Sequence, residues 1–274
     1  MLTRPADYGN IYYENSEDKI RCGAAPDREG NPMLKLENIS FDVTEDAATK
    51  GIVKDISLDI GDKSFMVITG PNGGGKSTLA KLIAGIEKPT GGRILLDGVD
   101  ITGMDITQRA KAGIGYAFQQ PVRFKGLTVK DLITLAAGRA LSTEDACHYL
   151  SEVGLCAIEY IDREVNGSLS GGELKRIEIA SVIARGARIS VFDEPEAGID
   201  LWSFHNLIRV FEHMRKTTAG TVIIISHQER ILETADKIVV LAGGRITGMG
   251  SREEILPGLL GGADTCRFYK GERT

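Results

Sequence analysis

The sequence contains no uninterrupted apolar run of the roughly 18 residues that a membrane-crossing helix requires, so no segment is expected to insert directly into a bilayer. It has no C-x-x-C pair. Cys22, Cys147, Cys156 and Cys266 are scattered at irregular intervals, and the four histidines show no ligand spacing. That pattern fits free thiols in a reducing compartment better than a zinc site or a disulfide framework. An excess of positive charge is also missing. Lysine and arginine total 33 against 38 aspartates and glutamates, a net charge of -5, which argues against broad nucleic-acid binding. The opening stretch, "MLTRPADYGNIYYENSEDKIRCG", lacks the apolar core of a secretory signal, so a cytoplasmic protein is expected, meeting any membrane through a partner.

What is present is apolar patterning for a packed core: 42% of the residues are hydrophobic. Residues 1–32 are polar and turn-rich and read as an extension. A single domain is expected over 33–250, with a tail over 251–274 carrying one helix. "MLKLENISFDV" suggests a strand with one irregularity in its alternation, "TEDAATKG" a loop, and "IVKDISLDIG" a second strand. The continuous apolar runs in "SFMVITG", "RISVFD" and "GTVIIISH" are marks of buried strands. Residues about 121–168 read as a small helical lobe broken near Gly138, with Leu132, Leu135 and Ala136 on one face. Further on, "LWSFHNLIRVFEHMRK" reads as an amphipathic helix using Leu201, Phe204, Leu207, Ile208 and Phe211. "KIVVLAGGRIT" suggests a hairpin around Gly243 and Gly244. Strands alternating with helices imply an α/β fold: a mostly parallel P-loop core with an N-terminal antiparallel β-subdomain and the helical subdomain.

Chemistry enters with "GPNGGGKS", which satisfies G-x-x-x-x-G-K-[ST] between an apolar strand and a helix. The loop Gly70, Pro71, Asn72, Gly73, Gly74 and Gly75 can turn backbone N–H groups toward phosphate oxygens at a helix N-terminus. Lys76 can reach the β- and γ-phosphates, Ser77 can ligate Mg²⁺, and Thr78 can touch the α-phosphate. This motif implies a P-loop NTPase without choosing among kinase, GTPase, motor and transporter ATPase.

"ISVFDEPEAGID" narrows the choice. A buried strand delivers Asp193 and Glu194 at its C-terminal end, where open α/β sheets build their sites. Asp193 can hold Mg²⁺ and Glu194 can orient or deprotonate the attacking water. His227, ending "TVIIISH", is either a surface residue or a sensor of the γ-phosphate. Gln119, with Gln120 as a rival, can ligate Mg²⁺ or hold the lytic water.

"LSGGELKRIEIASVIARG" is harder to place. Ser170 and Glu173 fit a capping box that needs no ligand, stabilising the helix by about 0.5–2 kcal/mol. Yet Gly171 and Gly172 weaken a first turn, by roughly 1 kcal/mol for a glycine in place of alanine in a helix interior. Bare backbone there suits an anion that must approach closely.

Taken in order, "GPNGGGKST", Gln119, "LSGGE", "VFDEPEAGID" and His227 resemble the motif set of ATP-binding-cassette (ABC) ATPases over residues 33–250. The resemblance implies ATP and Mg²⁺ as ligands and an ATP-dependent dimer in which Ser170, Gly171 and Gly172 face the nucleotide held by the opposite protomer. Asp200 would sit where the two sites communicate. Where that family often stacks adenine on an aromatic residue, this chain carries Val43, with Phe41 two residues earlier.

Within the family, "AFQQPV", "VNGSLSGGELKRIEI", "DEPEAGID" and "ISHQERIL" look like the iron–sulfur cluster assembly ATPase of the SUF system, the SufC type. That likeness implies a SufB- or SufD-like scaffold as partner. Pro195, Glu196 and Ala197 depart from it toward transporter cassettes, so the expected reading is a shortened, divergent SUF system in which ATP-driven dimerisation reshapes that scaffold during iron–sulfur cluster assembly. The alternative is the ATPase subunit of a membrane transporter, with a groove beside Gln119 receiving a helix of a transmembrane permease subunit. The short interval between Gln119 and Ser170 leaves no room for the coiled coils of DNA-repair cassettes.

Overall fold

The computed structural model describes residues 32–45, 48–217 and 220–260. The expected extension up to residue 31, Cys22, Cys266 and the end of the tail lie outside the described residues. Ten strands are described: β1 (Leu34–Glu45), β2 (Ala48–Ile60), β3 (Phe65–Thr69), β4 (Gly91–Leu96), β5 (Val99–Asp100), β6 (Ile114–Ala117), β7 (Ile189–Asp193), β8 (Thr221–Ile225), β9 (Lys237–Ala242) and β10 (Arg245–Ser251). The helices are α1 (Lys76–Ala84), α2 (Ile106–Lys111), α3 (Val129–Ala137), α4 (Thr143–Glu152), α5 (Ala157–Tyr160), α6 (Gly171–Arg185), α7 (Leu201–Thr217), α8 (Glu229–Leu232) and α9 (Arg252–Leu260).

The strands form two sheets. The first is antiparallel, in the order β2-β1-β4-β5. The "TEDAATKG" stretch expected as a loop is mostly strand, because β1 and β2 stay paired to Glu45 opposite Ala48. Where one irregularity was expected in β1, its pairing with β2 shifts register three times, between Leu36 and Ile39, Ile39 and Phe41, and Phe41 and Asp42; the first sits at Asn38, whose φ of 52° breaks the two-residue alternation. The break lets Leu34, Leu36 and Ile39 all face the core, each no more than 1% exposed.

The second sheet runs β10-β9-β3-β8-β7-β6, parallel except for the β9–β10 hairpin at its edge. Every residue of β3, β7 and β8 is buried, as expected where both faces of a parallel sheet are covered. Four strand ends carry the candidate residues. β3 feeds the glycine loop, β7 ends at Asp193, β8 leads to His227, and β6 stops two residues before Gln119.

α3 and α4 pack on α6 and each other. Both carry capping boxes, Thr128 with Asp131 and Ser142 with Asp145, and Gly138 ends α3 in the left-handed region at φ 64°. The expected face of α3 is corrected: Leu135 is 65% exposed, while Val129 and Ile133 are fully buried, because α6 covers the side they occupy. Leu201 is likewise exposed at the start of α7, whereas Leu207, Ile208 and Phe211 are buried. α2 carries no apolar pattern that marks it in the sequence, and its Arg109 is fully buried. Its guanidinium donates to the carbonyls of Leu82, Ile83 and Thr102, satisfying groups at the C-terminal end of α1. Burial lowers the Arg109 pKa to about 10.

Candidate nucleotide site

The glycine loop folds as a cradle against β9. A Cβ on Gly70 would lie 2.0 Å from the Leu241 carbonyl oxygen, and one on Gly74 would lie 2.8 Å from it. Gly75 adopts φ 97° at the N-cap of α1, and its own Cβ would lie 2.8 Å from the Ile52 carbonyl oxygen. Only glycine fits these positions. No side chain caps α1, so its first-turn N–H groups, those of Lys76, Ser77 and Thr78, have no intrahelical partner and suit an anion. Lys76 is 5% exposed, and its Nζ donates to the carbonyls of Gly70 at 2.8 Å and Pro71 at 3.0 Å. Burial pulls its pKa down, while Glu194, Asp193 and Glu196 push it back up. The loop thus holds a cation whose desolvation is offset by acidic neighbours.

Asp193 stands opposite Ser77. Ser77 Oγ donates to Asp193 Oδ1 at 2.8 Å, and Tyr116 Oη donates to Oδ2 at 2.9 Å. Both carboxylate oxygens are therefore oriented by hydroxyls. Burial, followed by the charge and hydrogen bond of Asp193, pushes the Tyr116 phenol far above its ordinary range, so it remains a donor. A serine hydroxyl next to a carboxylate is the hard-oxygen donor set that Mg²⁺ prefers, and these residues fit that ion. Tyr116 was not singled out in the sequence. The one signal available was its position on the apolar strand that runs toward Gln119.

Glu194 takes φ 44°, a left-handed conformation uncommon for a residue with a side chain, and its N–H donates to Ile225 O at 3.0 Å. Its Oε2 lies 2.6 Å from Gln119 Nε2. Of the two candidate glutamines, Gln119 is the one brought to Glu194. His227 is half exposed, and its Nδ1 lies 4.0 Å from Glu196 Oε1. Glu196 itself is buried. It accepts from Ser226 Oγ at 2.5 Å, its Oε2 has no hydrogen-bond partner, and burial raises its pKa. In the sequence Glu196 marked only a departure toward transporter cassettes, and nothing there assigned it a place at the site.

The second glycine pair lies elsewhere. Ser170 N donates to Glu173 Oε2 at 2.7 Å and Glu173 N to Ser170 Oγ at 3.3 Å, so the capping box is real. Tyr160 also donates to Glu173. Asp200 accepts from Ser203 N at 3.0 Å and from Ser203 Oγ at 2.7 Å. A Cβ on Gly171 would come no closer than 3.6 Å to Gly198 O. One on Gly172 would come no closer than 3.5 Å to Ser203 Oγ. Both are ordinary contacts at unstrained φ, so packing among the described residues does not demand either glycine. Phe41 packs partly against the core, and Val43 pairs with Lys50 across β1 and β2.

An apolar groove of about 270 Å³ opens beside this site, between β6 and the helices α3 and α6. Tyr116, Phe118, Val122, Phe124, Leu132 and Ile177 are among its lining residues. Phe118, Val122 and Phe124 are 37%, 45% and 38% exposed. Among the described residues no helix is long and apolar enough to cross a membrane.

A family model described as ABC transporter matches residues 53–197. An uncharacterized ABC transporter ATP-binding protein of Methanocaldococcus jannaschii is 37% identical over 231 residues, covering 81% of this chain and 90% of the relative. The energy-coupling factor transporter ATP-binding protein EcfA1 of Mycoplasma mobile is 32% identical, covering 84% of each. Among solved structures, a dimeric post-hydrolysis state of an ATP-binding cassette bound to ADP and Pi superposes with a TM-score of 0.73 at 24% identity. It covers 80% of this chain and 99% of that one. The two sequence relatives are named as transporter ATP-binding proteins, and the expected closeness to the SUF assembly ATPase finds no support among the proteins compared. The phosphate cradle, the acidic strand end and the shared architecture lead to one assignment: the chain belongs to the family of ABC ATPases.

Proposed function

We propose that this chain is the ATPase subunit of a membrane ABC transporter and works as an ATP-closed dimer. The observation that carries the transporter reading is the apolar groove beside Gln119, whose exposed Phe118, Val122 and Phe124 suit a short helix of a permease subunit. The names of the relatives point the same way.

In this reading the Gly70–Gly75 loop and the start of α1 bind the ATP phosphates, and Lys76 neutralises the β- and γ-phosphates. Ser77, Asp193 and Gln119 would hold Mg²⁺, which would supply charge neutralisation at the phosphates. Glu194, held in its unusual backbone conformation and touching Gln119, orients or deprotonates the attacking water. His227 senses the γ-phosphate. Ser170, Gly171 and Gly172 serve the nucleotide of the partner protomer, and Asp200 lies between the two sites. The support for that last step is the pair of glycines that packing among the described residues does not require.

The iron–sulfur assembly reading retains its sequence motifs alone. Affinity capture of the full chain from detergent-solubilised membranes separates the two. A polytopic membrane protein should co-purify, and Val122→Asp should abolish its recovery while ATP binding persists. Recovery of a soluble SufB- or SufD-like scaffold without detergent would overturn the transporter assignment.

A further inference from the structure

On α6, five and eight residues beyond Ser170, lie two charged side chains that the nucleotide chemistry leaves unused. Lys175 is fully buried, and Glu178 is largely buried, its side chain 15% exposed. Lys175 Nζ lies 3.1 Å from Glu178 Oε2, one turn along the helix. The pair closes on the backbone of a single residue. Glu178 Oε1 accepts from Phe118 N at 2.8 Å, and Lys175 Nζ donates to Phe118 O, with Gln119 O 3.5 Å away. Phe118 immediately precedes Gln119, whose amide reaches Glu194.

A buried ion pair is poorly explained as a stabilising device, because desolvating two charges generally cancels their attraction, and an apolar pair of similar volume does as well. What the charges supply here is direction. Glu178 can only accept from Phe118 N–H and Lys175 can only donate to the Phe118 carbonyl, so together they set the plane and height of both peptide groups before Gln119. Burial raises the Glu178 carboxyl, and the adjacent ammonium opposes that rise.

We propose that Lys175 and Glu178 are positioning residues that hold Gln119 at Glu194 and tie the start of the Gln119 loop to the signature helix. Movement of α6 when the dimer closes would then be transmitted to Gln119 through Phe118. The inference rests on Gln119 acting at the nucleotide, as proposed above.

The test uses the full chain and compares Lys175→Met, the double variant Lys175→Met with Glu178→Gln, and Gln119→Ala. Each is assayed for Tm, ATP affinity by calorimetry, and kcat and KM for ATP. Lys175→Met leaves a buried carboxyl unpaired and should lower Tm, and the neutral double variant should recover it. If the pair positions Gln119, kcat stays about tenfold or more below wild type in both variants, at unchanged ATP affinity, because misplacement of this kind acts on the reacting geometry. Recovery of kcat together with Tm in the double variant would show a packing role only and overturn the inference. If Gln119→Ala hydrolyses at the wild-type rate, the role of Gln119 falls. If Gln119→Ala is slow while the double variant is not, the clamp alone falls.

Discussion

Gln119 Nε2 lies 2.6 Å from Glu194 Oε2, joining two residues 75 positions apart at the ends of neighbouring parallel strands. The contact places a neutral amide against the carboxylate proposed to act on water. It makes Glu194 answerable to anything that shifts the segment after β6, including the groove that segment lines.

Glu194→Gln should therefore abolish turnover without disturbing the cradle. Loss of a carboxylate proposed to orient or deprotonate the water is expected to slow hydrolysis roughly 100-fold or more. ATP should stay bound, so gel filtration with ATP and Mg²⁺ should show a trapped dimer. A variant that hydrolyses normally would remove Glu194 from the chemistry.

Lys76→Ala should act on binding itself. Its ammonium is buried on two loop carbonyls with three acidic neighbours, and its proposed role is to neutralise the β- and γ-phosphates. Loss of a charged hydrogen bond costs about 1.5–3 kcal/mol, roughly a 10- to 100-fold rise in Kd by calorimetry.

The signature glycines offer a separation of stability from function. Replacing Gly171 and Gly172 with alanine introduces only ordinary contacts within the chain and a better helix former. Tm should hold or rise, by up to about 1 kcal/mol per site in stability. ATP-driven dimerisation should nevertheless be lost, as read by light scattering with the Glu194→Gln background as reporter.

Glu196 carries a pH prediction. Burial raises its folded pKa above the ordinary 4.5, so just above that value the native state holds a proton that the unfolded chain has released. Stability then falls as pH rises from 4.5 through the folded pKa, and the deficit is complete above it. Glu196→Gln keeps an acceptor for Ser226 and removes the deficit. Its Tm should exceed wild type at about pH 8, and the difference should shrink as pH falls toward 4.5. Parallel Tm curves across that range would contradict the prediction.

The local devices of this protein were legible in its residues. The glycine loop, the Ser170–Glu173 capping box, the buried strands and the acidic pair after "ISVF" are encoded within a few positions, because helix caps, strand periodicity and phosphate cradles are short-range in the chain. Helix faces were read less well. Leu135 and Leu201 are apolar at helical spacing yet exposed, since periodicity names a stripe but not the neighbour that covers it. The motif resemblance already favoured Gln119 over Gln120, but the tertiary structure alone brought Tyr116 to Asp193, the Gln119 amide to Glu194, and Lys175 with Glu178 around Phe118. Those pairings depend on which strands lie side by side and on how α6 packs against β6. Strand order is a global property of the packed core, and no local spacing of residues expresses it.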